Sequence, residues 1–581
     1  MGTPGRPRPA RAPGTTRPLG ALRPLRALKT AALGLLLPAA LLTAPGALLA
    51  GPGAGTAHAA PGDELVRVST DAPGRFQIKP LNKAGEYADA IAAIKASPGI
   101  TPLPDPLGTL AGTGHQGKAG TCYPAAFHPG ADASGYCWNN EDDATGGPVG
   151  WTPQGLSPRV DRPSWQVASW HSGDNKFARL TFVDRSAAAP RFNHVLLVTP
   201  GGTTGFSALA SHADSIVWKG DRLLLGSGRY VFEFDARNLM RVNTQDERVG
   251  IVGGNASAKF HNYILPISET YISSNQASEA CLAGEGAKDV PGTASGTCVT
   301  SLSYSGDGRS LVSSEYVPNA SGGRIVQWPD LKSGAATTAT AVWRSPVHSM
   351  QGALLAEGSL FISGKCPASF DNGGEIRYKA DGTPIPRENA CIHKAAPGGA
   401  PSVLTAVPDM TQNLAYDPAE KRVWGISERY FEVRNRLVFS VAPTVTPVTA
   451  VRFKNIGSDK CLAPYGALIK PGINATQWDC NGKSPQNWYW DGRTIRNFSS
   501  RLCLTVEGAS DSNGAQITQW TCNGSPYQDW TLRASAAGGA QIVSDGSKLC
   551  LTSHAGSAGN GANIVQWACD PTQIKHSWNG G

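Results

Sequence analysis

The chain is poor in charged side chains and rich in residues that break helices. Only 17% of its 581 residues are charged, whereas it contains 68 glycines and 43 prolines. Because glycine and proline interrupt helices and suit tight turns, this composition excludes coiled coils, long helical bundles and charged disordered tails. It favours a turn-rich, all-β protein with two or more domains.

A block of positive charge is missing beyond the first thirty residues. The net charge is +8, but seven arginine and lysine residues precede the first acidic residue, Asp63, and without these seven the net charge is +1. A nearly neutral chain lacks the basic surface that binds phosphate backbones, so we expect no nucleic-acid partner.

The first 59 residues have the pattern of a secretory signal peptide. A cationic stretch is followed by an apolar run up to Ala50 and by the small-residue motif Ala57-His58-Ala59. The alternative is an uncleaved membrane anchor, but Pro38 and Pro45 interrupt the apolar run. We expect a secreted, extracellular protein with no stable membrane insertion after cleavage, and we expect a monomer.

All twelve cysteines lie beyond this leader and fall into near-neighbour pairs. An even number in an exported protein predicts disulfides, and pairing between neighbours closes the shortest loops. Since no Cys-x-x-Cys occurs, we predict no zinc or thiol-redox site, and we expect no metal and no cofactor. The expected pairs are Cys122 with Cys137, Cys281 with Cys298, Cys366 with Cys391, Cys461 with Cys480, Cys503 with Cys522, and Cys550 with Cys569.

Familiar catalytic motifs are also missing. The sequence contains no Gly-x-Ser-x-Gly, no His-Glu-x-x-His and no phosphate-binding Gly-x-x-x-x-Gly-Lys motif. The acidic segment 139–143 lacks the spacing of a calcium loop, so a solvated turn is the simpler interpretation.

From about residue 447 the chain repeats one unit three times. Each copy has two cysteines 19 residues apart, a tryptophan two residues before the second cysteine, and another tryptophan downstream in a Gln-x-Trp or His-x-Trp motif. Copies this short cannot bury a core alone, so three must share one. We therefore predict a closed, pseudo-threefold β structure in which the downstream tryptophans, Trp488, Trp530 and Trp578, form the core.

In these features residues 447–581 resemble a ricin B-type β-trefoil lectin domain. The resemblance implies a carbohydrate-binding module with up to three shallow sites, whose partner is a polysaccharide or another glycan. It implies that Trp478, Trp520 and Trp567 are the aromatic platforms and that Gln486 and Gln528 belong to the sites. The alternative is a degenerate lectin in which these residues are only scaffold.

Two positions of the family's sugar site differ in every copy. The aspartate two residues after the first cysteine is replaced, and so is the asparagine before the Gln of Gln-x-Trp. A carboxylate is a strong acceptor for sugar hydroxyls, so its loss argues against galactose specificity. The residues present are Ala463, Thr505 and Thr552 at the aspartate position, and Pro485, Tyr527 and Lys575 at the asparagine position.

Between about residues 121 and 440, short apolar runs alternate with turns. Hairpin turns are predicted near residues 173, 220, 306, 357 and 418. Successive turns are separated by about 47, 86, 51 and 61 residues, and the long gap has room for one less regular unit around Phe260–Ile272. A four-stranded propeller blade occupies about 40–50 residues. We predict a β-propeller-like domain of five or six blades, with a β-sandwich or a β-helix as the alternative.

Residues just before equivalent inner strands of such a domain face its central channel. Alignment of the hairpins places His212, Asp214, His348, Gln351 and Gln412 there, as a candidate pocket. The alternative is that these groups hydrogen-bond to one another and plug the axis. Carboxylates available for a glycosidase pair are Asp143, Asp184, Asp214, Asp235 and Glu428.

Three functions follow from these patterns. The first is a secreted carbohydrate-binding protein that attaches to polysaccharide through its C-terminal domain. The second is a propeller-fold glycoside hydrolase or polysaccharide lyase that carries this domain as a binding module. The sequence leaves open whether the chain is an enzyme. The third is an interaction scaffold. The predicted domains are 1–59 (signal peptide), 60–120 (irregular, with one short helix), 121–440 (β-propeller-like), 441–446 (linker) and 447–581 (β-trefoil).

Overall fold

The computed structural model describes most of the chain beyond residue 63. The described residues are 64–68, 76–82, 85–120, 127–128, 130–138, 150–203, 205–273, 296–367, 377–378, 384–385, 390–428, 436–445 and 448–580. The predicted signal peptide and the acidic segment 139–143 lie outside them. No helix among the described residues is long and apolar enough to cross a membrane.

Two short helices precede the main sheets. The short helix predicted within residues 60–120 forms α1, which buries Ile91 and Ile94 as its apolar face requires. A second helix, α2, was not predicted; the Asp105 carboxylate caps it by accepting from the Gly108 amide. The elements of this segment are β1 (Val66–Arg67), β2 (Gln77–Pro80), α1 (Ala88–Lys95), β3 (Ile100–Pro102), α2 (Pro106–Gly112), β4 (His115–Gln116), β5 (Lys118–Ala119) and β6 (Ala133–Cys137).

The middle of the chain is built from antiparallel strands. The first group is β7 (Trp151–Pro158), β8 (Trp165–Ser172), β9 (Ala178–Asp184), β10 (Arg191–Pro200), β11 (Phe206–Ala208), β12 (Ser215–Lys219), β13 (Arg222–Ser227), β14 (Tyr230–Asp235), β15 (Met240–Val242), β16 (Val249–Val252), β17 (Asn255–Ala258) and β18 (Tyr263–Ile272). The second group is β19 (Ser301–Tyr304), β20 (Ser310–Ser314), β21 (Arg324–Pro329), β22 (Thr337–Thr338), β23 (Ala341–Arg344), β24 (Gly352–Ala356), β25 (Ser359–Lys365), β26 (Arg377–Tyr378), β27 (Pro384–Ile385), β28 (Ala390–Ala395), β29 (Ser402–Val407), β30 (Thr411–Asp417), β31 (Arg422–Ser427) and β32 (Leu437–Val441).

These strands form five antiparallel groups of four strands, which we call sheets I to V in chain order. Sheet I is β7-β8-β9-β10, sheet II is β12-β13-β14-β18, sheet III is β19-β20-β21-β23, sheet IV is β24-β25-β28-β29, and sheet V is β30-β31-β32-β6. The short strands β1 and β5 add a fifth strand to sheets III and V. Parallel pairing of β10 with β18 joins sheets I and II. Sheet V is completed by β6, which precedes the other strands of these five groups of four in the chain.

The first strands of the five sheets contact one another in a ring. Strand β7 contacts β12, and the contacts continue through β19, β24 and β30 back to β7. The all-β, β-propeller-like architecture is thus confirmed, and the five predicted hairpins are all present. The number of blades, five or six, stays a prediction, since residues 274–295 and most of 368–389 lie outside the described residues.

The C-terminal domain is a separate twelve-stranded arrangement around its own core. Residues Leu462, Leu504 and Leu551, one per copy, are fully buried there with the three downstream tryptophans. The strands are β33 (Lys454–Asn455), β34 (Cys461–Pro464), β35 (Ile473–Trp478), β36 (Trp488–Asp491), β37 (Thr494–Asn497), β38 (Cys503–Val506), β39 (Ile517–Trp520), β40 (Trp530–Ala534), β41 (Ala540–Ser544), β42 (Cys550–Ser553), β43 (Ile564–Trp567) and β44 (Trp578–Asn579).

Four of the six predicted disulfides lie within the described residues and are confirmed. Three close equivalent loops of the C-terminal repeat, and the fourth joins two residues near β25 and β28. Cys137 and Cys298 are also disulfide-bonded; their predicted partners, Cys122 and Cys281, lie outside the described residues. The confirmed bonds are Cys366–Cys391, Cys461–Cys480, Cys503–Cys522 and Cys550–Cys569.

Candidate functional site

Three tryptophans lie exposed on the C-terminal domain, one in each copy. Each ends the second strand of a hairpin and lies opposite the first cysteine of its copy. Because an indole is largely apolar, a ligand that covers such a ring recovers free energy. The exposed fractions are 44% for Trp478, 47% for Trp520 and 47% for Trp567. We call these three rings the platforms, and copies 1, 2 and 3 are those that contain them in chain order.

Each platform rests on a glycine of a neighbouring copy. A Cβ atom on Gly472 would lie 2.9 Å from the Trp520 ring, so a larger residue there would displace the ring. Gly472 also has φ of +82°, which other residues adopt only with strain. The corresponding pairs are Trp478 with Gly561 and Trp567 with Gly514. All three platforms therefore lie at the seams between copies.

The glutamine before each platform fixes the loop that leads to this glycine. The Gln519 side chain, 1% exposed, donates from Nε2 to the Leu468 carbonyl at 2.6 Å and accepts from Ser500 Oγ at 2.7 Å. Gln477 and Gln566 do the same in the other copies. These three residues were not predicted to have this role, although the repeated Gln-Trp dipeptide is the signal that identifies them.

The predicted site residues Gln486 and Gln528 lie beneath the surface, 2% and 1% exposed. Gln486 accepts from the Asn481 amide and donates to the Asp479 carbonyl, both at 2.8 Å. Gln528 makes the equivalent pair of bonds at 2.9 Å. Each side chain therefore holds the turn that follows its platform, and its polar atoms are used by the protein.

In copy 3 a histidine takes the place of this glutamine. His576 Nδ1 accepts from the Asp570 amide at 3.3 Å, so the acceptor function of the glutamine is preserved. Burial, together with the neighbouring positive charge of Lys575, lowers the pKa of His576. A neutral ring is the form that can accept this bond.

The second tryptophan of each copy is buried and hydrogen-bonded. Trp488 is 0% exposed, and Trp530 and Trp578 are each 2% exposed. In all three the indole nitrogen donates at 3.0 Å to the carbonyl of the residue after the first cysteine. These rings belong to the core, as predicted from the repeat.

The two altered positions of the repeat give each copy a different surface. In copy 1, Ala463 is buried and offers no polar side chain. In copy 2, Thr505 Oγ1 accepts from Gln528 at 3.0 Å, and the Tyr527 hydroxyl donates to Asp511 at 2.9 Å. In copy 3, the Lys575 side chain lies near Gly556, where an added Cβ atom would be in van der Waals contact with its Cδ and Nζ.

A second group of polar side chains lies at one end of the ring of first strands. His212 and Asp214 immediately precede β12, and their side chains hydrogen-bond at 2.6 Å. The His171 ring, on β8, stacks on the His212 ring with centroids 4.1 Å apart. Gln412, on β30, donates to the Glu428 carboxylate at 2.7 Å. We call these five residues the channel-mouth cluster.

Protonation differs between the two stacked histidines. Burial, and then the charge of His212, lowers the pKa of His171. Burial alone would also lower the pKa of His212, but its hydrogen bond to Asp214 and the charges of Asp214 and Glu428 outweigh burial and raise it. Of the two rings, His212 therefore keeps its proton to higher pH.

The remaining predicted channel residues take other positions. Gln351 immediately precedes β24 and His348 is exposed nearby in sequence, but no hydrogen bond or ion pair of the described residues joins either side chain to the cluster. Asp235 pairs with Arg237, and Asp184 accepts from a backbone amide. Asp143 lies outside the described residues.

Asn413, the neighbour of Gln412, crosses between the first strands. Its amide oxygen accepts from the Leu156 amide at 2.6 Å, and its nitrogen donates to the Leu302 carbonyl at 3.1 Å. It thus joins sheets I, III and V beside the cluster. Among the described residues, no three His, Cys, Asp or Glu side chains are grouped to hold a metal ion.

Comparison with known families identifies the C-terminal part. The model of the ricin-type beta-trefoil lectin domain matches residues 449–578. This segment contains all three platforms, their disulfides and the buried tryptophans. Residues 449–578 are a ricin-type β-trefoil lectin domain. The domain indicates carbohydrate binding.

Several solved structures are similar to parts of the chain. A designed threefold-symmetric protein, ThreeFoil, is 25% identical to this chain, with a TM-score of 0.22. The matched region covers 22% of this chain and 96% of ThreeFoil. The C-terminal half of an earthworm R-type lectin, in complex with GalNAc, is 18% identical over 23% of this chain and 98% of its own, with a TM-score of 0.20. An exo-beta-1,3-galactanase from Clostridium thermocellum is 12% identical over 71% of this chain and 93% of its own, with a TM-score of 0.24. No match was found among curated proteins.

Proposed function

We propose that this protein is secreted and attaches to polysaccharide through the three platforms of its lectin domain. The observation that supports this most directly is the contrast within each copy: one tryptophan is buried and hydrogen-bonded, whereas the platform is nearly half exposed. A protein gains nothing in stability from an exposed indole that it could bury. Three such rings at equivalent seams favour a surface that a ligand covers.

The energetics favour weak individual sites that act together. Nearly half of an indole amounts to roughly 100 Å² of apolar surface, worth roughly 2–3 kcal/mol when covered. Millimolar affinity requires about 4 kcal/mol, so one platform with a few hydrogen bonds reaches that range. A polymer that contacts two or three platforms is held more tightly by avidity.

The same geometry argues against galactose as the preferred sugar. Ala463 has no polar group, and the Thr505 and Thr552 hydroxyls are hydrogen-bonded within the protein. Recognition therefore depends on stacking against the C–H face of a pyranose, which many polysaccharides present.

The test of this function is retention on insoluble polysaccharide. We expect the triple variant Trp478→Ala, Trp520→Ala, Trp567→Ala to lose retention, with each single variant losing part of it. Since the rings are exposed at a strand end, we expect the unfolding midpoint in urea to stay near that of the unchanged protein. Intrinsic fluorescence should change on addition of soluble oligosaccharide in the unchanged protein only.

A matched control is Tyr465→Ala, which removes another exposed aromatic ring of the same domain. We expect this variant to be retained. If the triple variant folds and is still retained, the platforms are not the sites, and the domain is an interaction scaffold or binds elsewhere.

A second candidate function is a propeller-fold glycoside hydrolase or polysaccharide lyase. The observation that favours it is the charge of Asp214 and of Glu428 acting on one imidazole at one end of the ring of first strands. Glycoside hydrolases use two carboxyl groups about 5–9.5 Å apart on either side of the scissile bond. Incubation with plant and microbial polysaccharides would release new reducing ends or unsaturated products if this function holds. A wide panel without either product would favour binding alone.

Export is part of the proposal. The four disulfides among the described residues support it, because such bonds persist in oxidising compartments. Recovery of the protein from culture medium, with a new N-terminus near residue 60, would test both export and cleavage.

A further inference from the structure

The channel-mouth cluster draws its side chains from three sheets that are neighbours around the ring. Sheet V contacts sheet I through β30 and β7, and sheet I contacts sheet II through β7 and β12. In each case the side chain lies where a first strand begins: Gln412 near the start of β30, His171 opposite Thr152 of β7, and Asp214 directly before β12. Three sheets therefore bring polar groups to the same end of the ring of first strands.

Hydrogen bonds from the surrounding protein hold the side chains of the cluster in place. Asp214 uses one carboxylate oxygen for His212 and the other for the Gly228 amide, at 3.0 Å. Glu428 is positioned by the Gln412 amide, and its backbone carbonyl accepts from Arg436 at 2.5 Å. The His212 side chain is 44% exposed, so the group that holds the proton is also the group that meets solvent.

The stacked histidines offer one donor and one acceptor. His171 Nδ1 lies 2.8 Å from the Ser172 carbonyl, which can only accept, so Nδ1 carries the hydrogen and Nε2 of the neutral ring is an acceptor. His212 holds its proton, so its Nε2 is a donor. Together with the acceptor oxygens of the two carboxylates, the two rings place hydrogen-bond donors and acceptors side by side.

We propose that the channel-mouth cluster is a second ligand site, which binds a saccharide unit through hydrogen bonds from its hydroxyls to Asp214 and Glu428 and from His212 to a sugar oxygen. Neighbouring hydroxyls on a pyranose both donate and accept, which matches this arrangement. Hydrogen bonds to charged groups are the stronger kind, which suits a site built from two carboxyl groups and an imidazole. The site does not depend on the platforms and lies in a different part of the fold.

Other ligand classes fit the cluster less well. In the part of the chain that the structure describes, no three His, Cys, Asp or Glu side chains are grouped to hold a metal ion. A phosphate would meet the Asp214 carboxylate beside His212 and the charge of Glu428.

Binding at this site should depend on pH. The groups that face the two rings are Asp214, Glu428 and Arg436, and the two carboxylates hold the proton on His212. The donor is present below the pKa of His212, which lies above the ordinary value of 6.5, and is lost as pH rises through it. Sugar binding should follow the same course.

The test uses the full chain with all three platforms changed to alanine, so that the lectin sites are silent. Titration calorimetry measures binding of soluble xylan, glucan, galactan and polyuronate oligosaccharides at about pH 5.5 and about pH 8.5. We expect at least one neutral oligosaccharide to bind, with about tenfold or greater loss of affinity at the higher pH. His212→Phe, which preserves the ring stack, should abolish binding, and Asp214→Asn should move the pH of half-maximal binding downward.

Glu428→Gln should weaken binding severalfold, whereas the matched control Glu420→Gln, on the exposed turn between β30 and β31, should not. The proposal is overturned if the platform-silent protein binds none of the oligosaccharides at either pH, or if binding survives His212→Phe. Should that variant fail to fold, Asp214→Asn with Glu428→Gln decides the matter by the same titration. Failure of the lectin function shows separately, as retention on insoluble polysaccharide that the platform changes do not reduce.

Discussion

At the scale of single residues, the two tryptophans of each copy show how the same side chain serves two purposes. Trp530 places its indole nitrogen 3.0 Å from the Leu504 carbonyl, inside the domain. Trp520 ends a strand at a seam, where Gly472 lies against its ring, and it is 47% exposed. The two rings therefore differ in burial: one indole nitrogen donates to a core carbonyl, and the other ring lies at the surface.

This contrast predicts opposite effects of one substitution. Trp530→Phe removes the hydrogen bond and leaves the Leu504 carbonyl without its donor, so we expect a loss of about 1–3 kcal/mol in the free energy of unfolding. Urea denaturation followed by circular dichroism measures it. The matched change Trp520→Phe, at an exposed position, should stay within about 0.5 kcal/mol. Equal losses in the two variants would contradict the assignment.

Glutamines show that a family position can be retained without facing the ligand. Gln486 and Gln528 are present where the resemblance implies, yet their amides bond to the turn after each platform. The sequence predicts which residues belong to the site. The sequence cannot distinguish a residue that contacts the ligand from one that holds a loop of the protein, because this difference depends on which backbone groups lie within hydrogen-bond distance of the side chain.

At the scale of repeated elements, the three copies share a framework but differ in charge. Copy 2 presents the Tyr527 hydroxyl bonded to Asp511, whereas copy 3 presents Lys575 against Gly556. Local repetition reproduces the strands, the disulfides and the platforms in each copy. The residues on the loops around each platform are free to diverge, since the shared core does not constrain them.

The charge difference predicts that copy 3 favours acidic saccharides. Lys575→Gln should reduce retention on immobilised polyuronate by about two- to fivefold at low salt, because one exposed charge contact contributes up to about 1 kcal/mol. Retention on a neutral polysaccharide should not change. Affinity electrophoresis measures both, with Lys548→Gln, an exposed lysine of the same copy, as control. A loss of equal size on neutral polymer would show that Lys575 acts through structure.

The sheets of the middle region show where a repeat without a motif misleads. The predicted turn near 173 joins the second and third strands of sheet I, whereas the turns near 220, 306, 357 and 418 join first and second strands. Alignment of the hairpins therefore pairs the second and third strands of sheet I with the first and second strands of the other sheets. Strand β7 buries nearly every residue, so it shows no alternation of polar and apolar side chains to mark it.

At the scale of the whole molecule, the lectin domain contacts the residues that lead into sheet V. Arg501 is buried and donates from Nε to the Phe127 carbonyl at 2.8 Å. The His128 ring packs edge-on against Phe498. These contacts join the loop between β37 and β38 to the segment before β6, so the two domains share an interface rather than a linker alone.

Buried histidines predict that acid destabilises the molecule. Burial lowers the pKa of His261 to about 3 and that of His393 to about 4. Below about pH 6.5 the unfolded chain binds these protons while the folded protein does not, so the free energy of unfolding falls as pH decreases from about 6.5 to 4. Each such proton changes this free energy by about 1.4 kcal/mol per pH unit.

We therefore expect the urea midpoint to fall between about pH 7.5 and pH 5. His393→Gln should make the fall shallower, because glutamine does not titrate and its amide can still donate to the Lys365 carbonyl that His393 Nε2 faces. The control is His554→Gln at an exposed position, which should leave the slope unchanged. A slope that is the same in all three proteins would mean that His393 does not carry this effect.

The sequence by itself determined what is local and repeated: the all-β class, the lectin domain, the paired cysteines and the division of tryptophans between core and surface. These follow because each copy restates the same spacing within about 45 residues. Tertiary structure alone decided which groups meet at the channel mouth. His212 and Glu428 are 216 positions apart and show no shared motif, and the charge of Glu428 acts on the His212 ring because the sheets close into a ring.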